Sequence, residues 1–115
     1  DKGLMYFHTP NALGLDNTAL SYNDFRPLAH GIFPPMHLNA FTTQNVMHFL
    51  VRCGFNVNKI ETPGNFDVDI VRQFGSSKSE LSVINEISDE KSLAIFQYVL
   101  RELGASSHLA VLASK

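Results

Sequence analysis

Leu4-Met5-Tyr6-Phe7 is an unbroken apolar run, with Gly3 before it and Thr9-Pro10-Asn11 after it. No other feature restricts the fold as much. A short continuous apolar run between turn signals fits a strand buried on both faces, as in a parallel sheet. Such a strand needs neighbours, so the chain is expected to be α/β. Because the strand stands at the first residues, the chain is also expected to be a piece of a larger domain. A strand tied into a small sheet of its own stays open as the second reading.

From Pro10 to Asn39 there is no sustained period, and Pro10, Gly14, Pro27, Gly31, Pro34 and Pro35 punctuate the stretch. Residues 10–40 therefore read as a long loop with at most one helical turn. Loops of this length in compact domains are commonly lids or binding loops. Tyr22, Phe25, His30, Phe33 and His37 suit a lid or a pocket wall. Thr42 then predicts an N-cap, and Phe41 with Val46 has the spacing of a hydrophobic staple. Val46, Phe49, Leu50 and Cys53 fall on one helical face, with Gly54 where a left-handed residue ends a helix. Phe55–Glu61 predicts a strand with one wet face or edge. Thr62-Pro63-Gly64 stops it, and Phe66, Ile70 and Phe74 mark a short helix behind Asp67. Ser88 is expected to cap the last helix, with Asp89 and Glu90 in its first turn and Leu93, Phe96, Leu100 and Leu103 as its apolar stripe. His108–Ala113 predicts the closing strand.

Composition removes several function classes. At 115 residues the chain is one domain in size, and with 44% hydrophobic and 17% charged residues it is apolar enough to fold. A net charge of −2 offers no excess of cations to neutralise a phosphate backbone, so nucleic acid is not an expected partner. No apolar run approaches the roughly 20 residues of a membrane span, and the first residues do not read as a secretory leader. The expected location is cytoplasmic. Cys53 is the single cysteine, which excludes an internal disulfide and a multi-cysteine zinc site. His8, His30, His37, His48 and His108 show no spacing that places two of them on one helical turn, so no metal is expected.

Several motifs resemble, in their order, the C-terminal half of a class I S-adenosylmethionine-dependent methyltransferase. They are the opening strand followed by Thr9-Pro10-Asn11, then Pro34-Pro35-Met36-His37-Leu38-Asn39, Phe41-Thr42, Cys53-Gly54-Phe55 and Thr62-Pro63-Gly64 with Asp67-Val68-Asp69-Ile70-Val71. The resemblance implies the C-terminal part of a doubly wound, Rossmann-like sheet. Leu4–His8 would be its fifth strand, Phe55–Glu61 its sixth and His108–Ala113 its seventh, the last folding back antiparallel on the one before it. It also implies S-adenosylmethionine as cofactor and a small-molecule, sugar or lipid-linked methyl acceptor. The glycine-rich turn that holds such a cofactor has no counterpart here, so the cofactor-binding half is absent. The fragment is expected to be inactive alone, and its first strand is a candidate for self-association.

Within this frame His37, stiffened by Pro34-Pro35, is the candidate general base, with a structural role as the alternative. His8 at the strand's end, Asn11, Tyr22, His30, Phe33 and Asn39 are candidate substrate contacts. For His8 a backbone bond, and for the two asparagines turn chemistry, are the competing readings. Cys53 is expected to be a buried, inert thiol, and Asp67 to cap its helix rather than to pair with Asp69. A non-catalytic α/β module that binds a ligand or partner through the 10–40 loop is the alternative function.

Overall fold

The computed structural model describes residues 3–20, 24, 32, 34–65 and 67–115. In chain order the described elements are β1 (Leu4–Pro10), α1 (Leu15–Ala19), α2 (Thr43–Arg52), β2 (Asn56–Glu61), α3 (Asp67–Phe74), a 3-10 turn (Ser79–Leu81), α4 (Ser82–Glu86), α5 (Glu90–Glu102) and β3 (His108–Ser114). The strands form one sheet in the order β1-β3-β2. β3 pairs antiparallel with both neighbours, from Leu4 opposite Ser114 to Pro10 opposite His108 on one side and from Asn56 opposite Ser114 to Glu61 opposite Ala110 on the other. β1 and β2 therefore run the same way, with their carboxyl ends at one edge. The chain is α/β, with β3 folded back antiparallel on β2 as expected.

Side chains alternate across a strand, and only one face of this sheet carries the main core. Leu109, Val111 and Ala113 of β3 pack with Val46 and Leu50 of α2, flanked by Met5, Phe7, Phe41, Phe55, Val57 and Ile60. Thr42 caps α2 as predicted. Its hydroxyl accepts from Asn45 N at 3.1 Å, while Asn45 Oδ1 accepts from Thr42 N at 2.7 Å. Gly54 follows α2 with φ of 80°, the left-handed helix exit the sequence predicts, and Gly104 after α5 has φ of 71°.

The irregular alternation of β2 has a physical cause. Its register shifts between Val57 and Lys59, so Asn58 is the extra residue of a bulge. Val57 and Ile60, three apart in sequence, thereby reach the same apolar cluster. The other β2 side chains are exposed, which is the wet face expected.

The first strand corrects the opening expectation. β1 is not buried on both faces, for Leu4 is 76% and Tyr6 64% exposed, whereas Met5 and Phe7 are half-buried against the core. Its only strand neighbour among the described residues is antiparallel. Helix α2 fills one face, and the period of two leaves the alternate side chains outside. The strand also runs past His8 to Pro10.

Helical stripes are narrower than their sequence patterns. In α2, Val46 and Leu50 are buried, but Phe49 is 47% exposed and Cys53 is exposed at the helix end. The thiol is therefore not a core group. In α5 only Leu100 is buried; Leu93 and Phe96 are half-buried, and Leu103 is 74% exposed. Asp89 rather than Ser88 caps α5, accepting from Ser92 N at 2.8 Å. The Ser92 hydroxyl, and after it this N–H bond, hold the Asp89 carboxyl below the ordinary range. α3 buries Val68 and Val71, while Ile70 and Phe74 are half-buried; Phe66 lies outside the described residues. A second cluster of Leu20, Val71 and Leu81 joins α1 and α3 to the 3-10 turn, with Ile84 of α4 packed against it.

Candidate functional site

The carboxyl ends of β1 and β2 release two loops at one edge of the sheet; the first bonds the segment that enters β3, and the second bonds the end of α5. After β1, Asn11 N donates to Ser107 O at 2.7 Å, and Leu15 N to Ala105 O at 2.8 Å. The buried Asn11 amide donates to Gly104 O at 3.0 Å and Ser106 O at 2.8 Å, while its Oδ1 accepts from Leu13 N. After β2, Thr62 Oγ1 donates to Arg101 O at 2.8 Å. Gly64 then passes so close that a Cβ there would lie 2.0 Å from Ser106 Oγ and 2.7 Å from Asp67 Oδ2. Glycine is the residue type that fits such an approach.

Asp67 is the centre of this junction, with 0% of its surface exposed. Its Oδ1 accepts from Ser107 N at 2.6 Å, and its Oδ2 from Ser106 Oγ at 2.5 Å and from Gln97 Nε2. Burial alone pushes its carboxyl up, but the bonds from Ser106, Ser107 and Gln97 outweigh burial and hold it below the ordinary range. The expectation that Asp67 caps its own helix is thus corrected. Its carboxylate reaches the residues ahead of β3 and stitches α3 and α5 to the sheet. Asp16, also buried, titrates the other way. Burial raises it, the Asp67 charge adds to that, and the Asn17 N–H and His108 oppose it.

A cleft of about 480 Å³ adjoins this junction, between the first turn of α3 and the length of α5. Asn65, Val68 and Asp69 form one wall; Glu90, Leu93, Ala94, Gln97, Tyr98 and Arg101 form the other. Gln97 joins the two features, since its Oε1 accepts from Val68 N at 3.3 Å and its Nε2 donates to Gly64 O at 3.0 Å. Arg101 Nη1 makes a long contact of 3.5 Å to Asn65 Oδ1. Among the described residues Asp69, Glu90 and Arg101 form no ion pair.

The sequence-predicted residues are spread over the chain. His8 lies within β1 opposite Ala110, not at the strand's end, and shares a hydrogen bond with Tyr6 Oη, the two rings meeting edge to face at 5.1 Å. Asn11 is buried, with its amide committed to the β3 approach. His37 is half-buried and Asn39 exposed, on the segment leading into α2. Tyr22, His30 and Phe33 lie outside the described residues. Of the described ones, His8, Asn11, His37 and Asn39, none lines the cleft. Gln97, Tyr98 and Arg101 were missed by sequence reasoning, because polar positions on an amphipathic helix read as solvated face. Their only signal is the spacing of Glu90, Leu93, Gln97 and Arg101 along one side of α5.

Among the described residues no glycine-rich turn joins a strand to the helix after it. The glycines after β1 and β2, Gly14 and Gly64, are packed against Ser107 and Ser106, so neither presents an open backbone to a ligand. Neither of these two turns fits S-adenosylmethionine. The described residues hold no group of three His, Cys, Asp or Glu side chains arranged for a metal, and no helix long and apolar enough to cross a membrane. No protein-family model, curated protein or solved structure matches the chain.

Proposed function

We propose that this chain forms the acceptor side of an S-adenosylmethionine-dependent methyltransferase of the cytoplasm, acting on a small-molecule, sugar or lipid-linked acceptor. The observation that carries the reading is β3 lying between β1 and β2, antiparallel to both. That arrangement supports the assignment of the strands as fifth, seventh and sixth of a doubly wound sheet. It also brings both loops to the carboxyl edge, where ligands gather in open α/β sheets. Methyl transfer needs an acceptor held in line and shielded from water more than it needs a covalent intermediate. A stitched junction that fixes both loops at that edge suits that task. In this proposal His37 is the base for a protonated acceptor, the cofactor is held by residues outside this chain, and self-association runs along the outer edge of β1.

Labelled methyl transfer tests the reading. The protein from the complete gene is expected to move label from S-adenosylmethionine to a small acceptor, while the 115-residue chain alone neither transfers it nor binds the cofactor in calorimetry. In the active protein His37→Ala is expected to lower turnover 10²–10⁴-fold, the usual span for a general base. Micromolar cofactor binding by the 115-residue chain would move the cofactor site into it. Absence of transfer by the complete protein would overturn the reading in favour of a non-catalytic binding module.

A further inference from the structure

The cleft between α3 and α5 carries opposite charges that are not spent on each other. Asp69 follows Val68, whose N–H meets Gln97, and lines the α3 wall of the cleft while Gln97 lines the α5 wall. Arg101 is one helical turn further along α5, about 6 Å by the rise of a helix. Neither side chain has an ion-pair partner among the described residues. Tyr98, Val68 and Leu93 line the same cleft and give it an aromatic and apolar part. The volume, about 480 Å³, lies in the range of small-molecule sites.

We infer that this cleft binds a small zwitterion: a compact, ring-sized body with an ammonium group facing Asp69 and a phosphate or carboxylate facing Arg101. A guanidinium accepts such an anion in a two-pronged contact. A carboxylate on the opposite wall selects a cation. The Tyr98 face takes the apolar side of a sugar or similar ring. The Gln97 amide is fixed by its bonds to Gly64, Asp67 and Val68, so the wall is set before a ligand arrives, which lowers the ordering cost of binding. The cleft stands by itself as a binding site, for His37, the base in the function proposed above, does not line it.

The test titrates the 115-residue chain with glucosamine 6-phosphate, followed by amide chemical shifts. Saturable shifts confined to α3 and α5 are expected, with a Kd below about 1 mM. Glucose 6-phosphate, which lacks the amine, and glucosamine, which lacks the phosphate, are expected to bind at least about tenfold more weakly, one tenfold step being about 1.4 kcal/mol. Asp69→Asn should erase the preference over glucose 6-phosphate, and Arg101→Gln the preference over glucosamine. Both side chains are exposed, so thermal melts report whether each variant is folded. No binding of the amino sugar phosphate, or binding with preferences that neither variant changes, overturns the inference. Binding without methyl transfer by the complete protein keeps the cleft and removes the enzyme, and transfer without binding does the reverse.

Discussion

The sheet with α2 and the helical region at its carboxyl edge are built on different principles. The first is held by an apolar cluster of five buried side chains, Val46, Leu50, Leu109, Val111 and Ala113. The second has a smaller cluster of three, Leu20, Val71 and Leu81, and is joined to the sheet through directed bonds centred on Asp67. Apolar contacts are tolerant of small shifts; a buried carboxylate with its donors is not, because each unmet group costs free energy. The sheet region therefore supplies stability, and the edge region supplies fixed geometry where a ligand can be held.

Breaking the apolar side should have the largest effect. Leu50→Ala removes a buried side chain from the α2–sheet contact and is expected to cost about 2–5 kcal/mol, as large-to-small core changes do. Denaturant melts measure it, and amide exchange should show both regions opening together.

Asp67→Asn should cost less, about 1–3 kcal/mol at neutral pH, and act on the edge first. Amides of α5 and the β3 approach should exchange faster while those of α2 stay protected. The pH dependence sharpens the contrast. Asp67 titrates below its unfolded value, so its contribution is fully present above about pH 4 and is lost as pH falls through its lower folded value. The gap between wild type and Asp67→Asn should close in that acid range. Asp16, raised by burial, has the opposite sign. Its contribution is present below about pH 4 and is lost as pH rises through its raised folded value. A gap that stays constant from neutral to strongly acid pH would show that the Asp67 charge does not hold the junction.

Leu103→Ala is the smallest change. The side chain lies on the predicted stripe of α5 yet is 74% exposed, so its loss should fall within about 0.5 kcal/mol. A larger loss would mean that the helix packs across its whole apolar stripe.

What sequence could reveal followed the same division. Val46 and Leu50 were legible because a period near 3.6 reports a buried face directly, and Thr42 and Gly54 because caps are local chemistry. Phe49, Cys53 and Leu103 misled, since a stripe in sequence is wider than the surface available to cover it. The short α4 gave no signal, having no full period of its own. The partners of Asp67 are distant in sequence, Ser106 and Ser107 by 39 and 40 residues. A carboxylate near a helix start reads as a cap unless that long-range contact is known. The cleft was hidden for a related reason: its two walls are separate segments, and Arg101 is an ordinary surface arginine until Asn65 and Asp69 stand opposite it.

The position of β3 has a consequence for the order in which the molecule is made. Residues 108–114 pass between 4–10 and 56–61, so among the described strands neither outer one has a hydrogen-bonding neighbour until the middle one emerges from the ribosome. Pairings that span a hundred residues close slowly, and in the interval the nascent chain displays two strand edges and the apolar side of α2. The time between the synthesis of Leu4 and that of Ser114 is the interval in which a nascent chain of this kind is most exposed to aggregation and to chaperones.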